Sequence, residues 1–264
     1  MKGVICYISS SGHTELASRF IAGNLENIHL DLLNISREPA PDLDLYDLVG
    51  FATYTDYMNA PIGIQRFIRG LSQQNGKPAF VFSTYAMFTG WTLKFLSDRA
   101  REKGFRVVAS GSLSMPECYP VLRNLGLHKD NNPSSATLNR FQKFITQIDS
   151  IAFRIQNNEK IETIRVWPSL VDMLMPILPR KTAKVVMGEK LVDLTRCNAC
   201  GICASVCPYT AISMKYFPVF DEKRCNGCFS CYSKCPTHAI FTKRMKDKAF
   251  YHGPSVELRR KLML

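Results

Sequence analysis

Residues Val4–Phe20 read VICYISSSGHTELASRF: a short apolar run, a turn with three consecutive serines and a glycine, and then a helix-forming stretch. VICYI (4–8) is a β-strand by composition, and a helix follows from Thr14 to about Asn24. The same alternation continues to residue 156. HLDLLNI (29–35), LVGFATY (48–54), AFVFSTY (79–85) and FRVVASGSL (105–113) read as further strands. Helical stretches lie near 61–71 and 91–103. A long helix over 134–156 carries Leu138, Phe141, Phe144, Ile145, Ile148, Ile151 and Ile155 at helical spacing. Five strands alternating with helices predict an α/β fold with a doubly wound parallel sheet.

The turn itself admits two readings. Ser9, Ser10, Ser11, Gly12, His13 and Thr14 bring hydroxyls and free amides to a helix N-terminus, where the partial positive charge suits a phosphate without any Lys or Arg. Serine is also a common helix cap, so a plain capped turn explains the same letters. There is no lysine for a nucleotide-triphosphate loop, and only one of the three glycines of a dinucleotide fingerprint.

Beyond residue 185 the pattern changes. Eight of the ten cysteines fall between Cys197 and Cys235, a clustering that points to metal rather than to disulfides. Cys197–Met214 aligned on Cys225–Thr242 matches at nine of 18 positions, so the segment is an internal repeat. VDLTR (192–196) and FDEKR (220–224) suggest a short strand feeding each copy. Each copy is C-x2-C-x2-C-x3-C-P. Three thiolates at three-residue steps wrap one corner of a 4Fe-4S cluster, and the fourth cysteine, opening a helix, serves the other cluster. One set is then Cys197, Cys200, Cys203 and Cys235; the other is Cys225, Cys228, Cys231 and Cys207. Zinc has no use for the third cysteine at the same step or for Pro208 and Pro236.

Over about residues 188–245 these cysteines and prolines resemble the bacterial ferredoxins with two 4Fe-4S clusters. The turn at Ser9 resembles the S/T-x-T/S-G-N-T phosphate loop of flavodoxins: Ser9, Ser11, Gly12 and Thr14 match, and His13 replaces the usual Asn. That resemblance implies FMN, with its ring between the loops after the third and fourth strands. Here those loops are Thr53, Tyr54, Thr55, Asp56, Tyr57, Met58 and Asn59, and Ser83, Thr84, Tyr85, Ala86, Met87, Phe88, Thr89 and Gly90. Tyr54, Tyr57 and Tyr85 either stack on a flavin or pack their loops. His13 either bonds a phosphate or faces solvent. Cys118 either lines the flavin pocket or, like Cys6, is a packed thiol.

Together the halves look like the flavodoxin–ferredoxin fusion proteins called ferrodoxins. The expected layout is a flavodoxin-like domain over 1–156, a connector over 157–184 and a ferredoxin-like domain over 185–264. The resemblance implies electron transfer. Two other readings stand beside it: a flavin enzyme acting on a small acceptor such as a quinone, and a ferredoxin whose first half docks partners without flavin.

Lys and Arg outnumber Asp and Glu by 19 to 16 over residues 1–180 and by 15 to 6 over 181–264. Two clusters, each with a net charge of about −2 with its thiolates, offset part of that excess. An acidic redox partner is therefore expected rather than nucleic acid. The stretch from Val166 to Pro179, VWPSLVDMLMPILP, is too short and too proline-broken to span a bilayer. It is expected to pack in the core or between domains, with a membrane-surface or partner-docking helix as the alternative. With no signal-peptide pattern after Lys2, a cytoplasmic protein is expected.

Overall fold

A computed structural model describes residues 1–177 and 185–262. Strands β1 (Lys2–Tyr7), β2 (His29–Asn34), β3 (Leu48–Tyr54), β4 (Pro78–Tyr85) and β5 (Arg106–Ser114) form one parallel sheet in the order β2-β1-β3-β4-β5. Helices α1 (His13–Gly23), α2 (Ile62–Gly70), α3 (Thr92–Glu102) and α5 (Ser135–Gln156) connect and cover it, with a short α4 (Pro120–Asn124) after β5. This order is the flavodoxin-like form of the doubly wound sheet. The alternating strand residues explain the two layers. Ile5, Tyr7, Phe80 and Phe82 face α1 and α5, while Val4, Cys6, Phe51 and Val81 face α2 and α3.

The connector does not hang free. Ile161 is buried in the core under α5, and the Ile164 amide donates to the Val107 carbonyl at 2.9 Å. The chain thus straps across the first half as far as α6 (Leu170–Leu174). Residues 178–184 of the expected connector lie outside the described residues, as do 263 and 264 at the end of the expected ferredoxin-like domain.

In the second half the repeat folds with internal two-fold correspondence. β6 (Leu191–Val192) pairs antiparallel with β9 (Ile240–Phe241), and β7 (Ile212–Met214) with β8 (Pro218–Phe220), so the start of each copy pairs with the end of a copy. The Asp193 amide donates to the Ala239 carbonyl, and the equivalent Asp221 amide to Ala211, both at 2.8 Å. The expected feeding strands end one residue before these aspartates, and the residues up to each first cysteine are turns. Two helical turns, α7 (Ile202–Ser205) and α8 (Ser230–Lys234), follow the cysteine loops.

The last helix, α9 (Val256–Lys261), returns to the first half. Leu258 and Leu262, one turn apart, are buried in the core that α1 and α5 cover, and Lys261 Nζ donates to the Asn131 carbonyl at 2.9 Å. The first body is therefore closed by residues that the sequence reading assigned to the ferredoxin-like domain. Leu258→Ala should cost about 3 kcal/mol of stability. Chemical denaturation followed by circular dichroism measures this, and an unchanged midpoint would contradict the packing.

Candidate functional site

The carboxyl ends of β1, β3, β4 and β5 open into one cavity of about 470 Å3, at the point where the strand order reverses. One end is the start of α1, with Ser10, Ser11 and His13. The walls are Tyr54–Met58 after β3, Thr84–Phe88 after β4, and Met115–Tyr119 after β5. Met175 and Pro176 of the strap, Met187, Gly227 and Cys228 complete the lining.

The turn before α1 is a left-handed Gly12 (φ 97°) whose helix has no side-chain cap bond. Ser9 Oγ instead accepts from the Gly12 amide at 3.1 Å and Ser11 Oγ from the His13 amide at 3.5 Å. A Cβ on residue 12 would meet Pro254 Cδ at 3.0 Å, so the returning tail and the left-handed turn both require glycine. A serine-rich, uncapped helix start facing a cavity, with aromatic rings beyond it, suits a phosphate joined to a planar heterocycle.

Of the residues expected around a flavin, Ser10, Ser11, His13, Tyr54, Thr55, Thr84 and Tyr85 line the cavity. Ser9, Gly12, Thr14, Thr53, Asn59, Ser83 and Gly90 stand behind it. Thr14 Oγ1 meets Thr84 Oγ1 at 2.9 Å, Thr53 is buried in β3, and Asn59 Oδ1 accepts from the Ala60 amide. Gly90, left-handed at φ 55°, has its amide on Asp172 Oδ1. Ser83 Oγ is buried and has no hydrogen-bond partner among the described residues.

His13 departs from its solvent-facing reading. It is 4% exposed, and its Nε2 is hydrogen-bonded to the Tyr251 hydroxyl of the returning tail. Burial, with Arg123 nearby, lowers its pKa to about 3. Cys118 lines the cavity as a half-buried thiol, and desolvation pushes its pKa up to about 12. Burial likewise pushes the Glu117 carboxyl up, against the lowering effect of the Tyr119 and Cys118 amides it accepts from. Within SMPECYP (114–120) the sequence offered Cys118 alone as a candidate for the pocket, and the structure adds Met115, Pro116, Glu117 and Tyr119 to this third wall.

The eight cysteines ring two small cavities. Cys197, Cys200, Cys203 and Cys235 line one. Cys207, Cys225, Cys228 and Cys231 line the other. Each ring thus borrows its fourth cysteine from the other copy. Left-handed residues recur at the repeat interval, Ala199 with Gly227, Gly201 with Phe229 and Thr210 with His238, and such turns point amides inward. The Ala211 amide donates to Cys207 Sγ and the equivalent Ala239 amide to Cys235 Sγ, both at 3.3 Å. Among the described residues no group of three or more His, Cys, Asp or Glu could hold a single metal ion. Two rings of four thiols with inward amides instead suit iron–sulfur clusters.

The second ring is docked on the first body. Ser230 Oγ donates to the Ser10 carbonyl at 2.8 Å, and Asn226 Nδ2 to Asp56 Oδ2 at 3.0 Å and to the Tyr209 hydroxyl at 2.8 Å. The Tyr54 and Tyr209 hydroxyls meet at 2.8 Å, and the Tyr119 ring packs edge-on to Phe229. Cys228 lines both the second ring and the large cavity.

Residues 196–239 match the 4Fe-4S dicluster domain family. The chain is 26% identical over 151 residues to an uncharacterized protein of Methanocaldococcus jannaschii, covering 56% of this chain and 98% of that one. Among solved structures it is similar to a flavodoxin from the domain Archaea (17% identity, TM-score 0.45, 58% of this chain and 99% of that chain). It is also similar to oxidised flavodoxin 1 from Bacillus cereus (19% identity, TM-score 0.42, 57% and 98%). The chain joins a flavodoxin-like fold to a 4Fe-4S dicluster domain.

Because His13 is depressed from 6.5 to about 3, the unfolded chain takes up its proton first as the pH falls. The stability that neutral His13 contributes is complete above about pH 6.5 and drains away toward pH 3. Relative to His13→Asn, the wild type should lose about 2 kcal/mol between pH 7 and pH 5. Denaturation of both proteins at the two pH values gives this difference, and parallel pH profiles would refute it.

Proposed function

We propose that this protein is an electron-transfer protein holding two 4Fe-4S clusters and one FMN. Cys197, Cys200, Cys203 and Cys235 hold one cluster, and Cys207, Cys225, Cys228 and Cys231 hold the other. Ser10, Ser11 and the amides at the start of α1 receive the phosphate, with Ser9, Gly12 and Thr14 shaping the turn. Tyr54, Tyr57, Tyr85 and Tyr119 frame the ring. The clusters supply one-electron chemistry and the flavin one- or two-electron chemistry.

The observation that carries this reading is Cys228, which stands in the wall common to the second cysteine ring and the cavity. Met175, Pro176 and Met187 add apolar lining to the same cavity. The first ring faces outward: Cys200 is exposed, and only residues of the second half line that cavity. Exposed Lys215, Lys223, Arg224, Lys243, Arg244 and Lys246 surround that half. They favour a redox partner with an acidic docking surface, meeting the chain on the side of Cys200.

Anaerobic purification and reconstitution test the inventory. About eight iron, eight sulfide and one FMN per chain are expected. Clusters without flavin, or flavin with half the iron, would require a different account. Cys207→Ser tests the crossed rings: the cluster on Cys225, Cys228 and Cys231 should be lost or altered in its electron paramagnetic resonance signal. Loss of the cluster on Cys197, Cys200 and Cys203 instead would rule the crossing out.

A further inference from the structure

The strap between the two halves is built inside out. A water-facing helix normally buries its apolar residues and exposes its polar ones. In α6 the one polar residue, Asp172, is buried and its neighbours are not. Leu170 is 82% exposed and Leu174 85%, with Val171 and Met173 exposed between them and Trp167 62% exposed just upstream. An apolar patch of this kind marks an interaction site.

The inversion is fixed by hydrogen bonds. Asp172 Oδ1 accepts from the Gly90 amide and Oδ2 from the Thr89 and Ser169 hydroxyls, each at 2.7 Å. Ser169 Oγ accepts from the Asp172 amide at 3.1 Å. The strap is thus pinned to the loop after β4 by the one acid of α6, and the leucines on either side of it face outward.

Cations flank the patch. Arg140 and Lys143, one turn apart on α5, line an open cleft of about 660 Å3 whose other wall includes Met87, Ser169 and Asp172. Lys94 Nζ lies 5.1 Å from the centre of the Trp167 ring, and Arg165 and Lys160 are exposed upstream. Glu159 and Glu162 are exposed acids in the same stretch, Glu159 paired with Arg154, whereas Asp172 is buried and hydrogen-bonded.

We infer that this face docks on an anionic lipid bilayer surface. Leu170, Val171, Met173 and Leu174 enter the boundary between head groups and acyl chains, Trp167 sits at the head-group level, and Arg140, Lys143 and Arg165 meet the lipid phosphates. A second copy of the chain fits the patch poorly, because a two-fold contact would set the same cations against one another. The docking is peripheral: among the described residues no helix is long and apolar enough to cross a membrane.

Sedimentation of the holoprotein with vesicles tests this. The protein should pellet with phosphatidylglycerol-containing vesicles and stay in solution with phosphatidylcholine alone. Leu170→Glu/Leu174→Glu, at exposed positions outside the cavity, should lower the partition about tenfold or more while flavin and cluster absorption stay unchanged. Arg140→Glu/Lys143→Glu should weaken binding and flatten its dependence on salt. Failure to bind anionic vesicles, or binding that the leucine substitutions leave intact, would overturn the inference. So would a shift from dimer to monomer in the leucine variant with no recruitment to vesicles, which would make a second copy the occupant.

Discussion

The hydrogen bond from Ser230 Oγ to the Ser10 carbonyl joins the two chemistries of this chain. Ser10 belongs to the turn that opens the first helix, and Ser230 directly precedes Cys231, the third cysteine of the second loop. The same hydroxyl also reaches the Val206 carbonyl, beside Cys207. One buried side chain therefore registers the serine turn, the second cysteine loop and the fourth cysteine of its ring. Asn226, Tyr209 and Tyr54 extend this polar seam along the strand ends, and Phe229 with Tyr119 closes it with apolar contact. A fully bonded polar seam fixes position better than an apolar contact of the same area, because sliding would leave buried donors unpaired. The juxtaposition of cavity and cysteine ring rests on that constraint.

The first-half elements were legible because their signals are local. VICYI, LVGFATY and AFVFSTY are short apolar runs, and Phe141, Phe144, Ile145 and Ile148 repeat at helical spacing, so strands and helices fall within a residue or two of their expected bounds. The crossing of the rings was legible because, in two-cluster proteins with this cysteine run, the fourth cysteine serves the other cluster. What sequence could not show is contact between distant segments. The bond of Tyr251 to His13, the third cavity wall at Met115–Tyr119 and the burial of Leu258 all arise where separated stretches meet, and no periodicity encodes that. For the strap the letters left core packing and a surface-docking helix side by side, and the partners of Asp172 show that its leucines face out.

The basic excess of the second half reads differently with the fold in view. The same residues that would suggest nucleic acid in a bare sequence surround an iron–sulfur domain whose cofactors carry negative charge. Under the proposed function that charge offsets the cluster thiolates and favours an acidic redox partner.

The path of the chain has a mechanical consequence. It leaves the first body through the strap at 157–177, builds the cysteine domain, and comes back to bury Leu258 and Leu262 beneath α1 and α5. The cysteine domain is thus an insertion held at both ends rather than a bead on a tether. Redox modules carried on a single flexible linker find their partners by swinging, at an effective concentration set by the linker. A module clamped at two points gives up that freedom for a constant separation. Under the proposed function, the distance between cavity and cysteine rings stays constant, and the outward ring is the one that meets a partner.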